Sequence, residues 1–195
     1  TWKVSIVNNL PQLSPNLEQS MLMMDLADLV QLAKESGFTV GLYPRLDFSM
    51  GSAEWWKNSK RDALWWQQWY QEYERFAISY TQFAANNKVD QLILGGVDVS
   101  ASLPGGVETT IDNKGTPKNA DQLWEALLQK INQYYQGLIL LALPIEESEL
   151  LEYTFYDQID GFYLQFQPAA DISTSYDQQT VESTLNNIVA NILRS

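Results

Sequence analysis

Five short runs rich in Val, Ile, Leu and aromatic residues, each read as a strand followed by a helical pattern, constrain this chain more than anything else in it. They fall at residues 2–8 (WKVSIVN), 39–44 (TVGLYP), 91–96 (QLILGG), 137–144 (GLILLALP) and 159–167 (IDGFYLQFQ). Strict alternation of strand and helix implies parallel strands with helices packed outside them, as a doubly wound sheet or as a (β/α)8 barrel.

The helical patterns are explicit. The first carries Leu22, Leu26, Leu29, Val30 and Ala33 at helical spacing and stops at Ser36-Gly37, a common helix end. The second places Trp66, Trp69, Tyr73, Phe76, Tyr80 and Phe83 at steps of three and four, one face of one helix, which reads as an apolar stripe packed on a sheet. The third shows Leu123, Leu127, Leu128, Ile131 and Tyr135, with Asp121 or Asn119 available as cap. A short acidic helix is expected at 146–153. A last stripe consists of Val181, Leu185, Ile188, Val189 and Ile192.

The strands choose between the two architectures. In the last, Tyr163, Gln165 and Gln167 share one face and Phe162, Leu164 and Phe166 the other, as where one face meets a polar barrel interior and the other meets helices. No glycine-rich phosphate loop follows the first strand, where Asn8 and Asn9 lead into Leu10, Pro11 and Gln12. The expectation is a single α/β domain over residues 1–195, a TIM-barrel-like (β/α)8 fold with five βα units visible. Eight units take about 250 residues, so the chain reads as a partial barrel or as a piece of a longer chain. Its start at Thr1 rather than methionine fits a processed product or an excised piece. Unrecognised units, or a barrel completed by a partner, are the alternatives.

Composition removes several functions. With 195 residues, 45% of them apolar, the chain can bury one sizeable core. A formal charge of -12, from 12 basic against 24 acidic residues, argues against nucleic acid and against an anionic membrane surface. The absence of cysteine and histidine excludes disulfides, Ser-His or Cys-His nucleophiles and the usual zinc sites. No cofactor or metal is expected, and any chemistry falls to carboxylates, tyrosines, arginine or lysine. No apolar run is long enough for a membrane span and no signal peptide is visible; an extracellular or cell-surface location is nevertheless the expectation.

Polar groups gather at strand carboxyl ends, where barrels place their sites. In residues 39–47 the alternation puts Tyr43, Arg45 and Asp47 on one face. Arg45 and Asp47 either bind a polar ligand or form an internal ion pair. Trp55 and Trp56 follow the loop Ser49-Met50-Gly51-Ser52 and either stack on sugar rings or staple the next helix. Gly95-Gly96-Val97-Asp98 ends a buried strand; the glycines permit a close backbone approach, and Asp98 is the best single carboxylate candidate. Gln165 and Gln167 can hydrogen-bond hydroxyls or pair with each other in the lumen. Glu108, Asp112, Glu146, Glu147 and Glu149 read as solvated surface.

The succession GLYPRLDF, WW, WxxWYxxYxxFAxxYxxFA, LILGG and DGFYLQFQP resembles the middle strands of glycoside-hydrolase TIM barrels, above all the mannanase-like families of the large retaining clan. The resemblance covers about residues 39–167. It implies a carbohydrate cleft lined by Arg45, Asp47, Tyr163, Gln165 and Gln167, with Trp55 as a sugar platform and Asp98 as the acid. It also implies an acid/base glutamate at the end of the LILGG strand, where this sequence reads Gly95-Gly96-Val97-Asp98 and has no Glu. The family's nucleophile strand falls beyond Ser195. Retaining hydrolysis needs two carboxyls about 5 Å apart, so the readings are a glycosidase-like domain that works with the remaining segments of a longer chain, or a non-catalytic carbohydrate- or protein-binding barrel. A purely structural domain is the third class.

Overall fold

The computed structural model describes residues 1–16, 23–106, 115–144 and 154–165. Leu22, Glu108, Asp112, the expected acidic helix at 146–153, Phe166, Gln167 and the stripe at 181–192 lie outside the described residues.

The elements run β1 (Trp2–Val7), β2 (Leu10–Pro15), α1 (Met23–Glu35), β3 (Gly41–Leu42), β4 (Leu46–Phe48), α2 (Ser52–Asn58), α3 (Ala63–Asn86), β5 (Gln91–Gly95), α4 (Ala120–Tyr134), β6 (Leu138–Pro144) and β7 (Gly161–Gln165), with short 3-10 helices at Val97–Ser102 and Tyr156–Gln158. One sheet has the order β2-β1-β4 and the other β3-β5-β6-β7. Every neighbouring pair except β1–β2 is parallel. Because β3 and β4 are two stretches of one run separated by Tyr43-Pro44-Arg45, that run joins the two sheets into one wall, as expected of consecutive barrel units. Among the described residues, no helix is long and apolar enough to cross a membrane.

The first unit departs from the sequence expectation. β1 is followed by an antiparallel partner, with Val7 opposite Leu10 and Trp2 opposite Pro15, and the helix comes only after β2. The two-residue turn is Asn8-Asn9, both at positive φ (51° and 64°), the conformation a tight type I′ hairpin demands and asparagine tolerates. Pairs alternate from Val7–Leu10, so Pro11, Leu13 and Pro15 point their backbone nitrogens away from β1, which is how an edge strand accommodates proline. The outward groups of Leu13 meet α3 instead. Its N–H donates to Glu72 Oε2 at 2.8 Å and its carbonyl accepts from Arg75. The expected strand at 39–44 is cut to Gly41–Leu42, since Pro44 cannot donate to a ladder, and pairing resumes only at Leu46 in β4.

Helix ends follow local chemistry. α1 closes at Gly37 (φ 82°), with Gly37 N–H bonded to Lys34 and Phe38 N–H to Ala33, the paired bonds of a Schellman motif. α3 opens at Asp62, whose side chain accepts from Trp65 N–H at 2.9 Å. Its stripe Trp66, Trp69, Tyr73, Phe76, Tyr80 and Phe83 is buried throughout, as the periodicity predicts. α4 begins at Asn119 without a side-chain cap bond and buries Trp124 alongside Leu127, Leu128 and Ile131.

The amino ends of the strands are stitched by one repeated device. Asp90, just before β5, donates its N–H to Val40 O and accepts Val40 N–H on its carboxylate; Asp160, just before β7, does the same with Ile139. Lys34 from α1 adds an ion pair to Asp90 at 2.8 Å. Together these groups hold the lower rim in register and leave the carboxyl ends for other work.

Candidate functional site

At the carboxyl ends, the backbone of β5 turns away through Gly95 (φ 83°) and Gly96 (φ 98°), a region that disfavours side chains. The turn needs glycine at 96 for space as well. A Cβ there would overlap the Tyr43 hydroxyl and come within 2.8 Å of Gln165 Oε1. Tyr43 and Gln165 therefore converge on the bend. The Tyr43 hydroxyl is 3.4 Å from Gly95 O, and Gln165 Oε1 accepts Val97 N–H at 2.9 Å. From behind, the Gly95 N–H donates to the Tyr73 hydroxyl at 3.2 Å, so the aromatic helix also supports this corner.

Asp98 is the next residue to be placed, and every one of its bonds is internal. Its Oδ2 accepts from Arg45 Nε at 3.0 Å and from Arg45 Nη2, its Oδ1 accepts from Ser52 Oγ at 3.0 Å, and its carbonyl accepts from Trp56 Nε1 at 2.8 Å. The side chain is 18% exposed against 50% for Arg45. The hydrogen bonds to Asp98 hold the Arg45 guanidinium above its ordinary pKa. Burial does the same to the Tyr43 phenol, keeping it protonated. Tyr43 also lies under the Arg45 guanidinium, 5.9 Å from its ring centre, and packs at 5.7 Å against Tyr163, a ring 43% exposed.

The sequence-derived site residues thus divide. Arg45, Asp98, Tyr163 and Gln165 come together around Gly96. Asp47 does not ion-pair with Arg45; it accepts at 2.9 Å from Asn16, which follows β2 on the far side of β1. Gln167 lies outside the described residues.

The platform reading of Trp55 is corrected. Only 6% exposed, its ring is enclosed by Phe48, Trp56, Trp65 and Trp69 at centroid distances of 5.0–5.5 Å, so no face is left for a sugar. Its burial follows from α2, which Ser52 and Trp56 tie to Asp98 and which turns both tryptophans inward. Ser52 escaped the sequence reading. Tyr43, which shares a face with Arg45 in the sequence pattern, joins the site residues through its contacts with Gly95 and Tyr163.

Chemically the arrangement presents a guanidinium, an amide and two phenols, with a carboxylate whose oxygens already serve three donors. Among the described residues no group of three or more carboxylates is placed to hold a metal ion. A groove of about 470 Å³ between α3 and α4, lined by Trp66, Tyr70 and Lys130 among others, lies on the helical flank rather than at the strand ends.

The sequence model of Glycoside Hydrolase Family 113 matches residues 12–190. The chain belongs to this family. Among solved structures, the GH113 β-mannanase AaManA of Alicyclobacillus acidocaldarius superposes with a TM-score of 0.61 at 15% identity, over 84% of this chain and 48% of that one. A second GH113 β-1,4-mannanase superposes with a TM-score of 0.68 at 16% identity, over 100% of this chain and 56% of that one. No curated protein sequence matches the chain. The chain spans about half the length of the mannanases it resembles, and its wall of parallel strands is part of a GH113-type (β/α)8 barrel. Its strand-end corner around Gly96 lies on the face where such barrels carry their sites.

Proposed function

We propose that this GH113 chain forms one half of a carbohydrate cleft and binds a β-1,4-linked mannan-type chain, with Asp98 acting as an organising residue rather than as the acid. One observation carries this reading: both Asp98 oxygens are engaged, by the Arg45 fork and by Ser52 Oγ. A general acid must offer a proton to a leaving group. Here a proton would have to displace a donor already in place. The half-exposed Tyr163 ring, backed by Tyr43, supplies an aromatic face, and Arg45 and Gln165 supply polar contacts for hydroxyls. Hydrolysis by the whole protein then depends on carboxylates other than Asp98.

Calorimetric titration of the full-length protein with manno-oligosaccharides, paired with a reducing-sugar assay, tests this. Binding that is lost in Tyr163→Ala, with any turnover kept in Asp98→Asn, supports it. If Asp98→Asn abolishes turnover while binding persists, Asp98 is the acid and the assignment falls.

A further inference from the structure

We infer that the cleft continues beyond this corner onto the β1–β2 hairpin, whose Lys3, Ser5, Gln12 and Ser14 form an additional stretch of saccharide platform. The inference rests on the carbohydrate reading above and extends it to residues that neither the family match nor the sequence reading singled out.

Register carries the argument. Trp2 lies opposite Leu46, Lys3 opposite Asp47 and Val4 opposite Phe48. Counting on from the Gly41–Gln91 pair puts Leu46 beyond the last residue of β5. The hairpin therefore pairs with the wall only at its carboxyl rim, and Ser5 to Gln12 rises past it. The hairpin stands as a raised margin on the face that holds the site.

Its two faces differ in chemistry. Trp2, Val4, Pro11 and Leu13 are buried, Trp2 packing edge-on against Phe76 of α3 at 5.7 Å. Side chains alternate along a strand, so Lys3 and Ser5, with Gln12 and Ser14 opposite them, occupy the other face. That face is mostly open, and polar away from the turn, where Val7 and Leu10 share it: Lys3, Gln12 and Ser14 are exposed. It is the face of Asp47, because Asn16, in phase with Gln12 and Ser14, donates to Asp47 at 2.9 Å. Within the run from β3 to β4, Asp47 is in turn in phase with Arg45 and Tyr43. The same face of the wall thus runs from Tyr163 on β7 to Gln12 on β2, polar at both ends, with the small residues Ala142 of β6 and Gly95 of β5 at the level between Tyr163 and Arg45. Its five strand spacings at about 4.8 Å give roughly 24 Å along the sheet, a length suited to an oligosaccharide rather than a single sugar.

The test compares ligand lengths in the full-length protein, with mannobiose and mannohexaose as probes in calorimetric titrations of wild type and of a Lys3→Ala, Gln12→Ala double variant. Both substituted side chains are exposed, so folding should be unaffected, and circular dichroism checks it. Loss of one or two hydrogen bonds should weaken mannohexaose binding about three- to tenfold, leaving mannobiose unchanged. Equal mannohexaose affinities, or an equal loss for both ligands, overturn the hairpin assignment alone. If wild type binds neither saccharide, the carbohydrate reading itself falls, and the hairpin assignment with it.

Discussion

The Arg45 guanidinium grips a single oxygen of Asp98 with two nitrogens while Ser52 occupies the other oxygen. The pair joins the link between β3 and β4 to the turn after β5, and through Ser52 and the Trp56 indole it also fixes α2. Removing Arg45 should cost about 1 kcal/mol, as for a partly exposed ion pair. Removing Asp98 should cost about 2–3 kcal/mol, because both Arg45 and Ser52 lose their acceptor. A double-mutant cycle of Arg45→Ala and Asp98→Ala, read by urea unfolding, should show coupling of about 1 kcal/mol. Strict additivity would mean that the pair holds nothing in place.

Gly96→Ala should destabilise by about 2 kcal/mol or more, since it combines a positive φ with overlap at the Tyr43 hydroxyl. Tyr43→Phe removes the overlapping oxygen but neither the backbone strain nor the 2.8 Å approach to Gln165 Oε1. The double variant should therefore recover part of the loss and retain about 1 kcal/mol of it. Full recovery would show that φ is unstrained; no recovery would show that Tyr43 moves aside without cost.

Much of this corner was legible, and the reasons for what was not are physical. Period-two alternation placed Tyr43, Arg45 and Asp47 on one face, and the helical stripe of α3 is local enough to read directly. Trp55 was misread because its exposure depends on a contact 42 residues away, Trp56 Nε1 to Asp98 O, which no local pattern encodes. The hairpin was missed although its signal was present: Asn8-Asn9 between two apolar runs permits the I′ turn, but without the usual glycine, and the prolines of β2 argue against a strand unless it lies at an edge. Asp90 and Asp160, each immediately ahead of its strand, sit in the matching phrases VDQL and IDGF, a repeat whose bonding role is visible only across strands.

Acid should loosen the lower rim. Hydrogen bonding from Lys34, then from Val40 N–H, holds Asp90 below its ordinary value of 3.8. A carboxylate whose folded pKa is depressed binds its proton less readily in the folded state. Its stabilisation is complete above the unfolded value and is lost as pH falls through the folded one. Urea midpoints measured at pH 7, 4, 3 and 2.5 should fall most steeply below pH 4, with Asp90→Asn shallower over that range. Asp62, lowered by Lys60 and by Trp65 N–H, should give a second, separate contribution. An Asp90→Asn variant with the full acid slope would assign the effect elsewhere.

Arg75 protects the open side of the hairpin. It donates to Leu13 O, pairs with Glu72 at 2.6 Å and lies 4.9 Å over the Trp2 ring, while Glu72 accepts Leu13 N–H. The outward backbone groups at the middle of β2 are thus satisfied by side chains rather than left as a template for another strand. Lysine at 75 would keep the charge but lose the planar fork and its stacking, for about 1 kcal/mol. Glu72→Gln keeps an oxygen for Leu13 N–H and should cost less. Replacing both residues with alanine frees the β2 edge, so the double variant should show stability loss and concentration-dependent light scattering, whereas Arg75→Lys shows only the first. Scattering equal to wild type in the double variant would mean that Pro11 and Pro15 alone suffice to guard this edge.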